Sequence, residues 1–241
     1  MSPIVLVHGA WQGGWAWRLV KPLLVNIGRT VHAPTLTGLG ERSGTADPPG
    51  LSEHIQDICR VIEFEELENV VLVGHSYAGM VITGVADHLR DRIGHLVYLD
   101  AAVPADGDDF ASAIPKLPQE RAEARRQAFR SMAPDGDWLP PPQATLLGIR
   151  DPAIADWVER RSTPHPLRSW LEPLHFKNGG HSGISKTYVL ATEPATEIMG
   201  YPAHAAVARQ GGDWTYRDIR CGHQMQALRP DETARIIAEA I

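Results

Sequence analysis

Short apolar runs separated by amphipathic stretches set the pattern of this chain. Ile4–Val7, Val70–Val73, Leu96–Leu99, Thr187–Leu190 and, less purely, Thr215–Ile219 are flanked by turn-forming residues. Such runs predict buried parallel strands. Thr30–Ala33 is a weaker candidate. Between the runs, Leu51, Ile55, Ile58, Cys59 and Ile62 recur at helical spacing and make one apolar stripe. Met80, Val81, Val85 and Leu89 do the same after Ser76. Pro230, followed by Asp231 and Glu232, predicts a helix start, with Pro in the first turn and acids at the positive dipole end. Strands alternating with helices through right-handed crossovers predict an α/β fold: a mostly parallel sheet of about six strands with helices on both faces.

The alternation breaks between Pro104 and Ser185, where Pro115, Pro118, Pro134, Pro140, Pro141, Pro142, Pro152, Pro164, Pro166 and Pro173 cluster. Helical patches near Gln119–Met132 and Ala153–Arg161 sit among them. The apolar content is thin, so the block reads as a helical cap inserted over the C-terminal edge of the sheet. The expected organisation is core over 1–103, cap over 104–185 and core again over 186–241. A chain of 241 residues suits one α/β domain with such an insertion.

Composition narrows the function classes. With 23 Lys+Arg against 29 Asp+Glu the net charge is −6, which offers nothing to nucleic acid or an anionic membrane. The basic run Arg121–Arg130 is interleaved with Glu120 and Glu123 and reads as a solvated helix face. No stretch approaches the roughly 18 apolar residues that span a bilayer. Met1-Ser2-Pro3 leads straight into the first strand with no signal-peptide pattern, and Cys59 and Cys221 lack CxxC spacing. Together these lead us to expect a cytoplasmic protein with neither disulfide nor zinc. No GxGxxG or phosphate loop is present, and no cofactor is expected.

The sharpest motif is Val70-Val71-Leu72-Val73-Gly74-His75-Ser76-Tyr77-Ala78-Gly79-Met80. A buried strand runs into a tight turn and then a helix, with Ser76 at the apex, which is the context of a nucleophile elbow. The turn holds the hydroxyl clear of the sheet, where the Tyr77 N–H can meet a developing oxyanion. The five-residue pattern asks for Gly at 78; here Ala78 stands there and Gly79 follows.

Directly after the first strand, His8-Gly9-Ala10 fits the other half of an oxyanion hole, with the Ala10 N–H as donor. Trp11 is expected beside the substrate pocket, and Trp17 in the core. A serine hydroxyl needs an adjacent base, and imidazole has a suitable pKa. Among eleven histidines, His223 follows the final strand, precedes the last helix and comes after Ser76 in chain order. His8 and His75 read as shaping residues. His165, His175, His181 and His204 show no metal-ligand spacing and read as surface or cap residues. Met225 and Gln226 are further pocket candidates, and Cys221 a small spacer.

These residues resemble the α/β-hydrolases, specifically the esterase and hydroxynitrile-lyase branch that includes plant methylesterases. The likeness rests on Val7-His8-Gly9-Ala10-Trp11 with Gly14 and Trp15, on Gly74–Met80, on Tyr98-Leu99-Asp100 with Val103-Pro104, and on Gly222-His223. It spans nearly the whole chain, which begins at what would be the family's third strand, as in compact members. The resemblance implies a triad acid after the Thr187–Ala191 strand, but Thr192-Glu193-Pro194-Ala195 holds no Asp. Glu193 is one substitute. Asp100, at the end of Leu96–Leu99, is preferred, because some α/β-hydrolases draw their acid from that strand.

The resemblance implies a serine carboxylesterase-type hydrolase acting on a small, largely apolar ester, with catalytic Ser76, His223 and Asp100 and no metal. Lactone opening, C–C hydrolysis and cofactor-independent oxygenation on the same fold are the alternatives. A hydroxynitrile lyase is disfavoured, because that group carries Thr in place of Gly9 and Lys in place of Gln224. A non-catalytic small-molecule receptor is the remaining reading. The resemblance leaves a homodimer open.

Overall fold

Ile4–Val7 (β1), Val31–His32 (β2), Val70–His75 (β3) and Ile93–Leu99 (β4) alternate with Val20–Asn26 (α1), Leu51–Phe64 (α2) and Ala78–His88 (α3). This architecture comes from a computed structural model that describes residues 2–193 and 199–240. Next come Gln119–Met132 (α4), Trp138–Leu139 (β5), Pro152–Glu159 (α5), His165–Pro166 (β6) and Leu167–Leu171 (α6). Lys186–Ala191 (β7), Tyr201–Ala208 (α7), Trp214–Ile219 (β8), Met225–Leu228 (α8) and Pro230–Glu239 (α9) complete the chain.

Six strands form one sheet in the order β2-β1-β3-β4-β7-β8, and each described neighbour pair is parallel. The expected strands are all present, most of them a residue or two longer than their apolar runs. The weak Thr30–Ala33 candidate shrinks to two residues. Side-chain alternation sorts the core into two layers. Ile4, Leu6, Val71, Val73, Val97 and Leu99 face Trp17, Leu24 of α1 and Ile237 of α9. Val5, Val7, Val70, Leu72, Leu96 and Tyr98 face α2, α3 and α7. Burying each such side chain contributes roughly 1.5–3 kcal/mol before chain entropy is counted.

Local chemistry sets the helix starts. Asp151 accepts hydrogen bonds from the N–H groups of Ala153 and Ile154 (2.8 and 3.1 Å), with Pro152 in the first turn of α5. Glu53 reaches back to the Gly50 N–H (2.9 Å) to cap α2.

Residues 104–185 share the main core. Phe110, Phe129, Leu139, Leu167 and Trp170 join the same buried cluster as Tyr77. The short strands β5 and β6 pair antiparallel within this block. The basic run on α4 is less solvated than expected. Ala122 and Phe129 are buried, Arg126 pairs with Asp109 at 2.5 Å, and Arg125 Nε donates to the Ala111 carbonyl (2.8 Å). Among the described residues, no helix is long and apolar enough to cross a membrane, and no cluster of His, Cys, Asp or Glu could hold a metal.

Candidate active site

Ser76 stands between the end of β3 and the start of α3, with φ of 59°. Left-handed backbone costs a non-glycine residue roughly 1–2 kcal/mol. Hydrogen bonds hold it there. The Ser76 N–H donates to Leu99 O (3.1 Å), and Ser76 O accepts from the N–H groups of Gly79 (3.1 Å) and Ala102 (3.2 Å). The close approach falls at Gly79, not at position 78. A Cβ on Gly79 would lie 1.9 Å from Ala102 O, whereas Ala78 is accommodated fully buried.

Asp100 follows β4 and also has positive φ (44°). Its N–H donates to Val189 O (2.7 Å), and its Oδ1 accepts from the Ala191 N–H (3.2 Å). Its Oδ2 lies 2.6 Å from His223 Nδ1, and both side chains are buried. Nδ1–H therefore donates to the carboxylate and Nε2 carries the lone pair. Glu193 is elsewhere, paired with Arg220 at 3.2 Å in an exposed position. Pro194 and Ala195, beside it, lie outside the described residues.

The His223 ring sits between two neighbours. His75 is on one side (ring centroids 4.5 Å apart), its Nε2–H donating to His223 O at 2.9 Å. Tyr201 stacks at 5.2 Å with its plane 9° from parallel. Burial, then the proximity of His223, holds the His75 pKa well below the usual imidazole range. Ser76 Oγ is hydrogen-bonded to the Tyr201 hydroxyl (3.1 Å) and not to His223. Tyr201 is fully buried, which pushes its phenol pKa up. Sequence reading missed it: Gly200-Tyr201-Pro202 carries no motif, and its contacts lie far away along the chain.

The loop after β1 runs against the elbow. A Cβ on Gly9 would sit 2.8 Å from His75 Nδ1 and 3.1 Å from Ser76 Cβ. The N–H groups of Ala10 and Tyr77, both buried, meet no acceptor among the described residues. Buried amides without acceptors are rare in folded proteins. Trp11 also has positive φ (64°) and is bound to residues 139–165. Its N–H donates to His165 Nδ1 (3.3 Å), its Nε1–H to Leu139 O (3.0 Å), and its carbonyl accepts from the Thr163 N–H (2.9 Å). It packs edge-to-face on Trp170 at 5.4 Å. The Tyr77 hydroxyl donates to His54 Nδ1 (2.9 Å), and the ring packs on His165 at 4.8 Å.

One expectation is corrected: His204 is buried and not a surface residue, while His165 is buried within the 104–185 block. Met225 packs in the core layer with Val97 and Leu99. Gln226 donates from Nε2 to Gln224 Oε1 (2.7 Å), as does Gln12 (2.7 Å). Cys221 is a free, buried thiol whose pKa burial pushes up to about 12, which fits a spacer rather than a nucleophile. A cavity of about 610 Å³ lies to one side, lined by Val103, Ser112, Ile114, Leu117, His204 and Trp214 among others, but not by Ser76 or His223.

Comparison with known proteins agrees with this fold. The alpha/beta hydrolase family matches residues 4–236. A carbendazim hydrolyzing esterase of Nocardioides sp. (strain SG-4G) is 39% identical, covering 99% of this chain and 99% of its own. Methylesterase 8 of Arabidopsis thaliana is 33% identical over 87% of this chain and 81% of its own. Among solved structures, an extracellular α/β-hydrolase from a Paenibacillus species superposes with a TM-score of 0.84 at 23% identity, covering 100% of this chain and 99% of that one.

Proposed function

This chain belongs to the α/β-hydrolase family, in the esterase branch that includes the plant methylesterases, and we propose that it is a serine esterase cleaving a small, largely apolar carboxylic ester. The observation that carries the reading is Ser76 at a strained elbow beside a buried His223 that Asp100 holds at 2.6 Å.

Ser76 Oγ attacks the ester carbonyl carbon while His223 Nε2 takes the hydroxyl proton. The carbonyl electron pair moves onto oxygen, where the free N–H groups of Ala10 and Tyr77 receive it. Asp100 keeps His223 in the tautomer that leaves Nε2 free and stabilises the imidazolium. Collapse breaks the bond to the alcohol oxygen, which takes the proton from His223. Water then attacks the acyl-enzyme with His223 as base; the acyl–Oγ bond breaks, the acid leaves, and His223 returns the proton to Ser76 Oγ. In the resting state Ser76 Oγ is hydrogen-bonded to the Tyr201 hydroxyl, so the cycle begins when its proton turns to His223 Nε2 and Tyr201 becomes the donor to Oγ.

Two observations weigh against a hydroxynitrile lyase. Position 9 has no space for a threonine side chain, and Gln224 is engaged by Gln12 and Gln226. Residues 104–185 act as the cap, since Phe110, His165 and Trp170 pack on Tyr77 or Trp11. The two free, buried cysteines support a cytoplasmic location. The test is a panel of simple alkyl and aryl esters, lactones and carbendazim, with product analysis for wild type and Ser76→Ala. Turnover of simple esters that Ser76→Ala abolishes supports the reading. Lactone or C–C cleavage in preference to esters, or full ester turnover by the variant, overturns it.

A further inference from the structure

Resting on the esterase reading above, we propose that Tyr201 is a catalytic residue that donates a hydrogen bond to the leaving alcohol oxygen as the ester bond breaks. Three observations carry this. The Tyr201 hydroxyl is 3.1 Å from Ser76 Oγ, the atom that forms the new bond. Its ring lies nearly parallel to the His223 imidazole, with centroids 5.2 Å apart, so the phenol runs along the flank of the group that supplies the leaving proton. The side chain is fully buried, and the Tyr188 hydroxyl shares its proton between Ala101 O (3.0 Å) and the Tyr201 carbonyl at the start of α7 (3.2 Å).

Once Ser76 has given its proton to His223, Oγ can only accept, so the Tyr201 O–H becomes the donor of that pair. When Oγ bonds to the carbonyl carbon, the leaving oxygen is one atom further on. With the Ala10 and Tyr77 N–H groups assigned to the oxyanion, the Tyr201 hydroxyl is left for the leaving oxygen. As the C–O bond breaks, its electron pair goes to the leaving oxygen, and the proton on that oxygen comes from His223. Tyr201 keeps its own proton throughout and lowers the charge on the departing oxygen. Burial, which pushes its phenol pKa up, keeps it in the donating form. Such a donor matters most for basic alkoxides and least for a stable phenolate.

The test is Tyr201→Phe, assayed as kcat/KM on esters of one acid with leaving groups from p-nitrophenol to ethanol. A hydrogen bond to a charged group predicts that the loss on the ethyl ester exceeds that on the p-nitrophenyl ester by about tenfold to a hundredfold. Equal losses on both, or no loss on either, overturn the proposal. Fluorophosphonate labelling of Ser76 in wild type separates the two levels. Without labelling the esterase reading itself fails, and with labelling but no leaving-group selectivity only the role of Tyr201 fails. If Tyr201→Phe does not fold, 3-fluorotyrosine at position 201 keeps the shape and strengthens the donor. It is expected to raise the ethyl to p-nitrophenyl ratio, and an unchanged or lower ratio overturns the proposal.

Discussion

Asp100 Oδ2 lies 2.6 Å from His223 Nδ1, although 123 residues of chain separate them. This pairing favours Asp100, at the end of β4, over Glu193 as the proposed triad acid. Asp100→Asn is expected to lower kcat on a p-nitrophenyl ester by about three to four orders of magnitude, because the amide disfavours the required tautomer. Glu193→Gln loses only an exposed ion pair with Arg220 and should leave kcat within experimental scatter. The reverse pattern in steady-state kinetics would contradict the assignment.

Gly9, in the loop of the proposed oxyanion hole, packs closely against the elbow. Gly9→Thr must displace His75 or Ser76, and overpacking of this kind costs about 1–3 kcal/mol. A lower urea midpoint together with loss of esterase activity is the expected result. Wild-type stability and rate would show that the loop is not seated against Ser76.

His165 binds the Trp11 N–H and packs on Tyr77, so it touches both sides of the proposed oxyanion hole. His165→Ala leaves the part-buried Trp11 amide without its acceptor, at a cost of about 1 kcal/mol. The expected kinetic signature is a fall in kcat with KM little changed, since the donors next to Trp11 and on Tyr77 act on the transition state. A rise in KM alone would instead place His165 in ground-state binding.

Burial holds the His8 and His54 pKa values at about 4, below the ordinary value of 6.5. Each is neutral and doubly bonded: His8 between Gly9 O and the Leu36 N–H, His54 between Thr37 O and Tyr77. Between pH 6.5 and 4 the unfolded chain binds the extra protons. Their stabilising contribution is therefore complete above about pH 6.5 and is lost as the pH falls toward 4. Calorimetry from pH 8 to 5 should show a falling Tm, with a shallower slope for His54→Gln. Identical slopes would contradict the buried neutral state of His54.

The strands were legible because their apolar runs are local. Ile4–Val7 reads directly from the sequence, and so does the helix after Ser76, since periodicity and turn chemistry act within a few residues. The elbow and His223 were legible through motif and chain order. What escaped depends on distant partners. β5 and β6 have two residues each and no period to read. His165 and His204 are buried because Trp11 and the Ala113 carbonyl satisfy them across the fold. Tyr201 reaches Ser76 only through the path of α7 over the sheet.

The central claim is that Ser76 is an activated nucleophile, and intact-mass measurement after treatment with a fluorophosphonate tests it most directly. Wild type is expected to gain one adduct, located on Ser76, that Ser76→Ala does not gain. A folded wild type that stays unmodified, or a Ser76→Ala variant that gains the same adduct, would contradict it.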